Sequence, residues 1–230
     1  NHTAIQAALD ACAVVFVPEG DFPVDEELEV PEGHGIYGTG PQTSVISTSD
    51  AISILKVGVT SAGAGDRYGR VEGIALDGNG VATLGFNLAD VCVQRQFVNL
   101  EARNIAGPGY QLDAGQNNVF LGCHARSCDI GWRVLNDAGT NTWIVCEIDD
   151  SNITGMVLDN DSGLSGYSHA AFANQGPSKN TFIGCLFERG TMTKGLDVVK
   201  GLHNVWDKCY FTNYGSTSVL YHTHLHTGAL

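Results

Sequence analysis

The 230-residue sequence predicts an all-β fold: a single-stranded parallel β-helix with three short strands per coil and an N-terminal capping helix. Three observations predict it. The phrase Asn-x-aromatic-x-x-Cys occurs four times, beginning at Asn118, Asn141, Asn180 and Asn204 and ending at Cys123, Cys146, Cys185 and Cys209. A weaker copy precedes them, with Phe97 and Leu100 in the aromatic and cysteine positions. A Gly-apolar pair recurs in step (Gly85-Phe86, Gly109-Tyr110, Gly131-Trp132, Gly155-Met156, Gly195-Leu196), spaced by 22 to 24 residues apart from one gap of 40, and Ser218-Val219 ends the series. Within each piece the apolar residues alternate, as Trp132 with Val134 and Met156 with Leu158, which is strand spacing. A unit this short cannot bury its own apolar face, so its neighbours must complete the core.

Each element follows from its residues. Thr3 to Cys12 reads as a short amphipathic helix with Ile5, Ala8, Leu9 and Cys12 on one face and Thr3 as its N-cap. Such an element would cover strand edges left open at the end of a solenoid. Strands follow at 14–17, around Phe22-Pro23-Val24, and at Leu28-Glu29-Val30. The glycine-rich stretch 33–41 lacks the strict GxGxxG pattern and a βαβ context, so it reads as turns and not as a dinucleotide loop.

These N-terminal residues carry a resemblance. The TAIQAALDAC helix, the apolar strand, Val17-Pro18-Glu19-Gly20, Leu28-x-Val30 and Ile36-Tyr37-Gly38-x-Gly40 resemble the start of the pectate-lyase-like right-handed β-helix proteins, which include polysaccharide lyases, glycosidases and phage tailspikes. The specific match spans residues 3–46; the coils behind it agree in type. The resemblance implies right-handed winding, in line with the general crossover rule, and a polysaccharide as substrate class. The family has no single catalytic motif, so it names no catalytic residues here. The chain divides into a helix cap with its first strands, 1–46, and coils, 47–230, as one domain overall.

In each coil, strand A holds the Asn-x-aromatic piece, strand B the Cys-x-apolar piece and strand C the Gly-apolar piece. Stacked Asn side chains can pass amide hydrogen bonds from coil to coil. The cysteine column reads as small buried hydrophobes. Asn99, Gly122 and Gly184 suit a positive-φ residue at the A–B corner. With no CxxC spacing, zinc is not expected, and no cofactor is.

The formal net charge of −13 argues against a nucleic-acid backbone or an anionic membrane as partner. No 18-residue apolar run offers a membrane span. The first residues do not read as a signal peptide.

Chemistry is expected on the outer faces. On strand B the outward columns are Ala75, Glu101, His124, Glu147, Leu186, Tyr210 and Asp77, Arg103, Arg126, Asp149, Glu188, Thr212. Glycosidases need two carboxyls about 5–5.5 Å apart for retention or about 6.5–9.5 Å for inversion. Glu147 with Glu188 or Asp149, and Glu101 with Glu147 across His124, are the candidate catalytic pairs. A lyase would use a base beside a cation, as His124 flanked by Arg103 and Arg126. Asp77, Arg103, Arg126, Tyr210 and Tyr167 are candidate substrate-binding residues. The same charges also read as complementary cross-strand pairs that only stabilise the sheet. His222, His224 and His226 alternate onto one face and are weak metal-ligand candidates.

Strand A presents an outward strip of Val98, Val119, Leu121, Thr142, Ile144, Thr181, Ile183 and Val205. Such a patch suggests burial of some kind: an interface, a homotrimer through Val98, Leu121, Ile144 and Ile183 by likeness to tailspikes, or cover by a loop or another domain. The 40-residue gap implies an insertion near 160–177 bearing Asp161, Tyr167, His169 and Phe172. Two functions remain open: a polysaccharide-binding or -cleaving β-helix, as hydrolase or lyase, and a non-catalytic virion structural protein. Both place it on a virion or outside the cell.

Overall fold

The computed structural model describes residues 1–58, 66–67, 69–88, 92–136, 138–159, 176–188, 194–199, 201 and 203–211. Three parallel sheets wind around one core, each built from one strand per coil. Sheet A has eight strands, Val14–Val17, Gly35–Gly38, Arg70–Glu72, Gln96–Val98, Val119–Leu121, Thr142–Ile144, Thr181–Ile183 and Val205–Asp207. Sheet B also has eight, Gly20–Pro23, Ser44–Ser47, Ala75–Asp77, Glu101–Arg103, His124–Arg126, Glu147–Asp149, Leu186–Phe187 and Tyr210–Phe211. Sheet C has seven, Leu28–Val30, Ser53–Val57, Leu84–Leu88, Pro108–Asp113, Ile130–Leu135, Thr154–Asp159 and Lys194–Val198. The first strands, from Val14 onward, already belong to these sheets.

The repeat maps onto the core. Phe97, Phe120, Trp143, Phe182 and Trp206 stack in one column, with ring centroids 4.8, 4.9, 4.6 and 3.9 Å apart. The first three separations match the strand spacing and the last is tighter, so each ring lies on its counterpart. Phe86, Tyr110 and Trp132 form a second stack from sheet C. All seven cysteines are free. Each thiol of the column donates to the aromatic residue's carbonyl one coil earlier, as Cys123 to Phe97 at 3.4 Å and Cys146 to Phe120 at 3.5 Å. Burial pushes the Cys128 thiol up to about 12.

The Asn residues form the expected ladder. Asn118 donates its Nδ2 and its backbone N–H to Asn141 Oδ1 (3.0 and 2.9 Å), and Asn141 does the same to Asn180 (3.1 and 3.0 Å). The Asn180 N–H reaches Asn204 Oδ1 at 3.0 Å. Asn118, Asn141 and Asn180 are fully buried, so the ladder satisfies polar groups that would otherwise be orphaned. Asn141 and Asn180 are ladder neighbours although 39 residues separate them. The inserted segment therefore leaves the stacking intact. Residues 160–175 of that segment lie outside the described residues, as do Tyr167, Thr212, Ser218-Val219, His222, His224 and His226.

Three expectations need correction. The helix runs from His2 to Ala11 with Asn1, not Thr3, as its N-cap. Cys12 is exposed, whereas Leu9 is buried and Ile5 packs partly against the core. The stretch 33–41 is not all turn: Gly35–Gly38 is a strand paired with Val14–Val17. Gly38 is glycine because a Cβ there would lie 2.5 Å from the Gly73 carbonyl oxygen. Five successive coils also share a fourth, minimal ladder, where Asp66–Arg67 pairs with Cys92–Val93 and single bridges link Val93, Gln116, Gly139 and Ser178.

One outward column of sheet A is apolar over four successive strands, Val98, Leu121, Ile144 and Ile183. Leu121 is 42% exposed and the other three are half-buried. The Arg70–Glu72 ion pair, at 2.7 Å, bounds this strip on one side. No helix among the described residues is long and apolar enough to cross a membrane.

Candidate functional site

Sheet B carries the candidate residues in the expected register. Ala75, Glu101, His124, Glu147, Leu186 and Tyr210 pair in sequence across six strands. Beside them run Asp77, Arg103, Arg126 and Asp149. The Glu188 N–H donates to the Ile148 carbonyl at 2.7 Å, extending the sheet past Phe187.

The two columns differ. In the second, charges are matched. Arg103 Nε donates to Asp77 Oδ2 at 2.8 Å, and Asp77 Oδ1 also accepts from Asn104 Nδ2 at 3.0 Å and the Asn79 N–H at 3.1 Å. Burial pushes the Asp77 carboxyl up, but the hydrogen bonds from Asn104, Arg103 and Asn79 outweigh it, and the group rests below its usual value. Arg126 reaches Asp149 at 4.0 Å, a looser pair with the arginine half in solvent. These contacts are the complementary cross-strand pairs expected of a stable sheet.

The first column is not matched in this way. Glu101 is only 3% exposed. Its Oε2 accepts from Gln42 Nε2 at 2.8 Å, and its Oε1 lies 3.7 Å from Arg103 Nη1. His124, on the next strand, has a buried Nε2 with no hydrogen-bond partner. Beneath it, inside the lumen, the Tyr110 hydroxyl donates to the His124 carbonyl at 3.0 Å. Glu147 follows one strand later, half-buried, its carboxylate without an ion pair among the described residues.

Glu101, His124 and Glu147 line one hollow of about 410 Å³, together with Pro41, Gln42, Asn99, Leu100, Gly122, Cys123 and Val145. The hollow therefore follows the A–B corner and is not spread over a flat face. Its wall is the Pro41–Gln42 turn, which reaches Glu101 from 59 residues away. Its floor includes the left-handed corner residues Asn99 (φ 49°), Gly122 (φ 60°) and Val145 (φ 51°). Sequence reasoning missed Gln42, because a contact made once at long range leaves no periodic trace.

Not all candidates share this hollow. Asp149, Arg126, Arg103 and Asp77 lie along the neighbouring column, outside its lining. Glu188 is half-buried one strand beyond Asp149. Tyr210 is 62% exposed, on the Glu101 column but four strands away. Glu101 and Glu147 are separated by two strand spacings, about 9.6 Å between backbones. Among the described residues, no group of three or more His, Cys, Asp or Glu is placed to hold a metal ion.

Three stacked parallel sheets and an N-terminal helix define a parallel β-helix. No protein-family model and no curated protein matches the sequence. Solved structures do match the fold. ORF18 of Geobacillus virus E2 is similar with a TM-score of 0.72 and 14% identity, over 90% of this chain and 44% of that one. The tailspike protein of an Acinetobacter phage gives 0.61 and 13%, over 92% and 46%. Tailspike gp49 of the Acinetobacter baumannii bacteriophage Fri1, a capsular polysaccharide depolymerase, gives 0.57 and 13%, over 94% and 49%. This chain thus spans less than half the length of those three proteins. At such identities the likeness is one of fold.

Proposed function

We propose that this chain is a polysaccharide-binding and polysaccharide-cleaving β-helix of the tailspike kind, with Glu101, His124 and Glu147 as its site. One observation carries the reading. The row of two carboxyls and a histidine with an unpartnered buried nitrogen opens into a single walled hollow. A buried polar atom without a partner needs an explanation, and a sugar hydroxyl would supply one. The likeness to a capsular polysaccharide depolymerase supports the substrate class.

In this reading one carboxyl protonates the leaving oxygen and the other activates water. The two-strand separation of Glu101 and Glu147, about 9.6 Å between backbones, suits the wider spacing of inversion. His124, between them, bonds the bound sugar. Gln42 and Arg103 hold Glu101 in place. The test is reducing-end release from a panel of neutral and acidic polysaccharides. The wild type should release ends from at least one, and Glu147→Gln should lower that rate by roughly a hundredfold or more. No cleavage and no binding across the panel would remove this reading.

A non-catalytic role in a virion is the second reading, favoured by the matched Asp77–Arg103 and Arg126–Asp149 pairs. Both readings place the chain on a phage particle or outside the cell, and both use the apolar strip of sheet A. We propose that Val98, Leu121, Ile144 and Ile183 pack against further copies in a homotrimer. Sedimentation of the wild type should then show a trimer, and Ile144→Lys a monomer. A monomeric wild type would refute this assembly.

A further inference from the structure

We infer that the sugar unit seated between Glu101 and Glu147 carries no acid group. The site takes a neutral or amino sugar and rejects a uronate or a sulfated or phosphorylated unit. This rests on the hollow being a saccharide site, as proposed above.

The lining decides the sign of the field. Two carboxylates face the hollow, and among the described residues no lysine or arginine belongs to its lining. The two arginines of the neighbouring column are turned elsewhere. Arg103 gives its Nε to Asp77 and its Nη1 to Glu101, which ties it behind the carboxylates. Arg126 lies on the neighbouring column, with Asp149 at 4.0 Å. The wall contributes only the neutral amide of Gln42, already donated to Glu101. Among the described residues, His124 is the one lining side chain with a basic group. The chain as a whole carries a net charge of −13, so the longer-range field has the same sign as the local one.

A uronate placed over His124 would be one strand spacing, about 4.8 Å, from the columns' carboxylates on either side. Like charges at that range suppress binding, so roughly a tenfold or larger preference for an uncharged unit is expected. An ammonium or a hydroxyl meets no such opposition. The inference also chooses between the chemistries open at this site. A lyase needs the carboxylate of a uronate to acidify the proton it removes, and a hydrolase does not. The hollow therefore fits hydrolysis, in which water adds across the glycosidic bond and the leaving oxygen takes the proton.

The test is equilibrium binding of the whole chain to matched ligands: acidic polysaccharides and the same polymers after chemical reduction of their carboxyl groups, with neutral glucans and an amino-sugar polymer alongside. The expected result is binding to uncharged or amino-sugar ligands, and at least a tenfold advantage for the reduced member of any pair that binds. That advantage should shrink in salt and in Glu147→Gln. The partly exposed Glu147 is chosen because replacing the buried Glu101 endangers folding. Equal binding of both members, or a preference for the acidic one that Arg126→Gln weakens, would overturn the inference while leaving the sugar site standing. Binding to none of the ligands would overturn the sugar site itself, and the inference with it.

Discussion

Replacing Asn141 by Ala tests whether the internal ladder stabilises the fold or merely accompanies it. Asn141 is fully buried. Its Oδ1 accepts the Asn118 N–H at 2.9 Å and Asn118 Nδ2 at 3.0 Å; its Nδ2 donates to the Gly115 carbonyl at 2.8 Å and to Asn180 Oδ1 at 3.1 Å. The consequences of alanine are unequal. Gly115 keeps a bond from the Gly139 N–H, and Asn180 Oδ1 keeps the Asn141 N–H. Asn118 loses the acceptor for its backbone N–H and for one Nδ2 proton, in a region closed to water. Two orphaned donors at about 1–3 kcal/mol each, with the smaller losses at Gly115 and Asn180, give about 4 kcal/mol. That is large for one substitution. Equilibrium urea unfolding, followed by tryptophan fluorescence and compared at unchanged slope, reads it directly. Asn204→Ala is the control. Asn204 is only half-buried, so water can replace its bonds to the Asn180 N–H and the Pro177 carbonyl, both 3.0 Å, and the loss should be about 1 kcal/mol. If Asn141→Ala costs no more than Asn204→Ala, the ladder does not contribute as argued.

Other outcomes follow from local features. Val145 holds φ at 51° while 63% exposed, a left-handed conformation that costs a β-branched residue about 1–2 kcal/mol. Val145→Asn should therefore raise the melting temperature by about 2–4 °C, and an unchanged or lower value would count against corner strain. The Asp77 carboxyl is held below its ordinary value of 3.8. The stability it lends is present above that value and lost as pH falls through the lower native one. Asp77→Asn should thus destabilise at about pH 7 and cost progressively less as pH falls below 3.8; a loss that does not shrink with acid would refute the pairing with Arg103. A thiol reagent applied to the native protein should modify the exposed Cys12 first, with Cys123, Cys128 and Cys146 reacting only on unfolding. Prompt reaction of several thiols would mean the column is more open than described.

How much of this was legible in the sequence depends on whether a feature repeats. The register of sheets A, B and C could be read in advance because Asn118, Asn141 and Asn180 recur in step with Phe120, Trp143 and Phe182. The matched pairs of Asp77, Arg103, Arg126 and Asp149 follow from that register alone. The A–B corner was half legible. Glycine and asparagine at 122, 184 and 99 announce a left-handed turn, but Val145 and Lys208 adopt it too, with φ of 51° and 53°. There the stacked coils on either side dictate the backbone against the residue's own preference. The glycines opening the strands of sheet C were visible, but their reason was not. A Cβ at Gly85 or Gly131 would come within 2.5 Å of the carbonyl oxygen of the next coil's glycine. The hollow was not legible. Glu101, His124 and Glu147 were named from their column, but the wall that sets them apart from Asp149 and Arg126 is a single contact from Gln42. The fourth ladder escaped as well, since its one- and two-residue pieces share no residue type.

The stacked coil is also a step gauge. Asn118 and Asn141 occupy equivalent places 23 residues apart, so residues 118–140 make one complete turn of the winding. Excising them would set Asn141 where Asn118 stands and join equivalent corners. Glu147 would then fall directly beside Glu101, with His124 gone. The two carboxyls would move from two strand spacings to one, about 4.8 Å, near the separation of about 5–5.5 Å that favours a covalent glycosyl intermediate. A solenoid can thus alter the distance between reacting groups only in whole increments, by adding or losing turns. The anomeric configuration of the product released by the shortened chain would record the step.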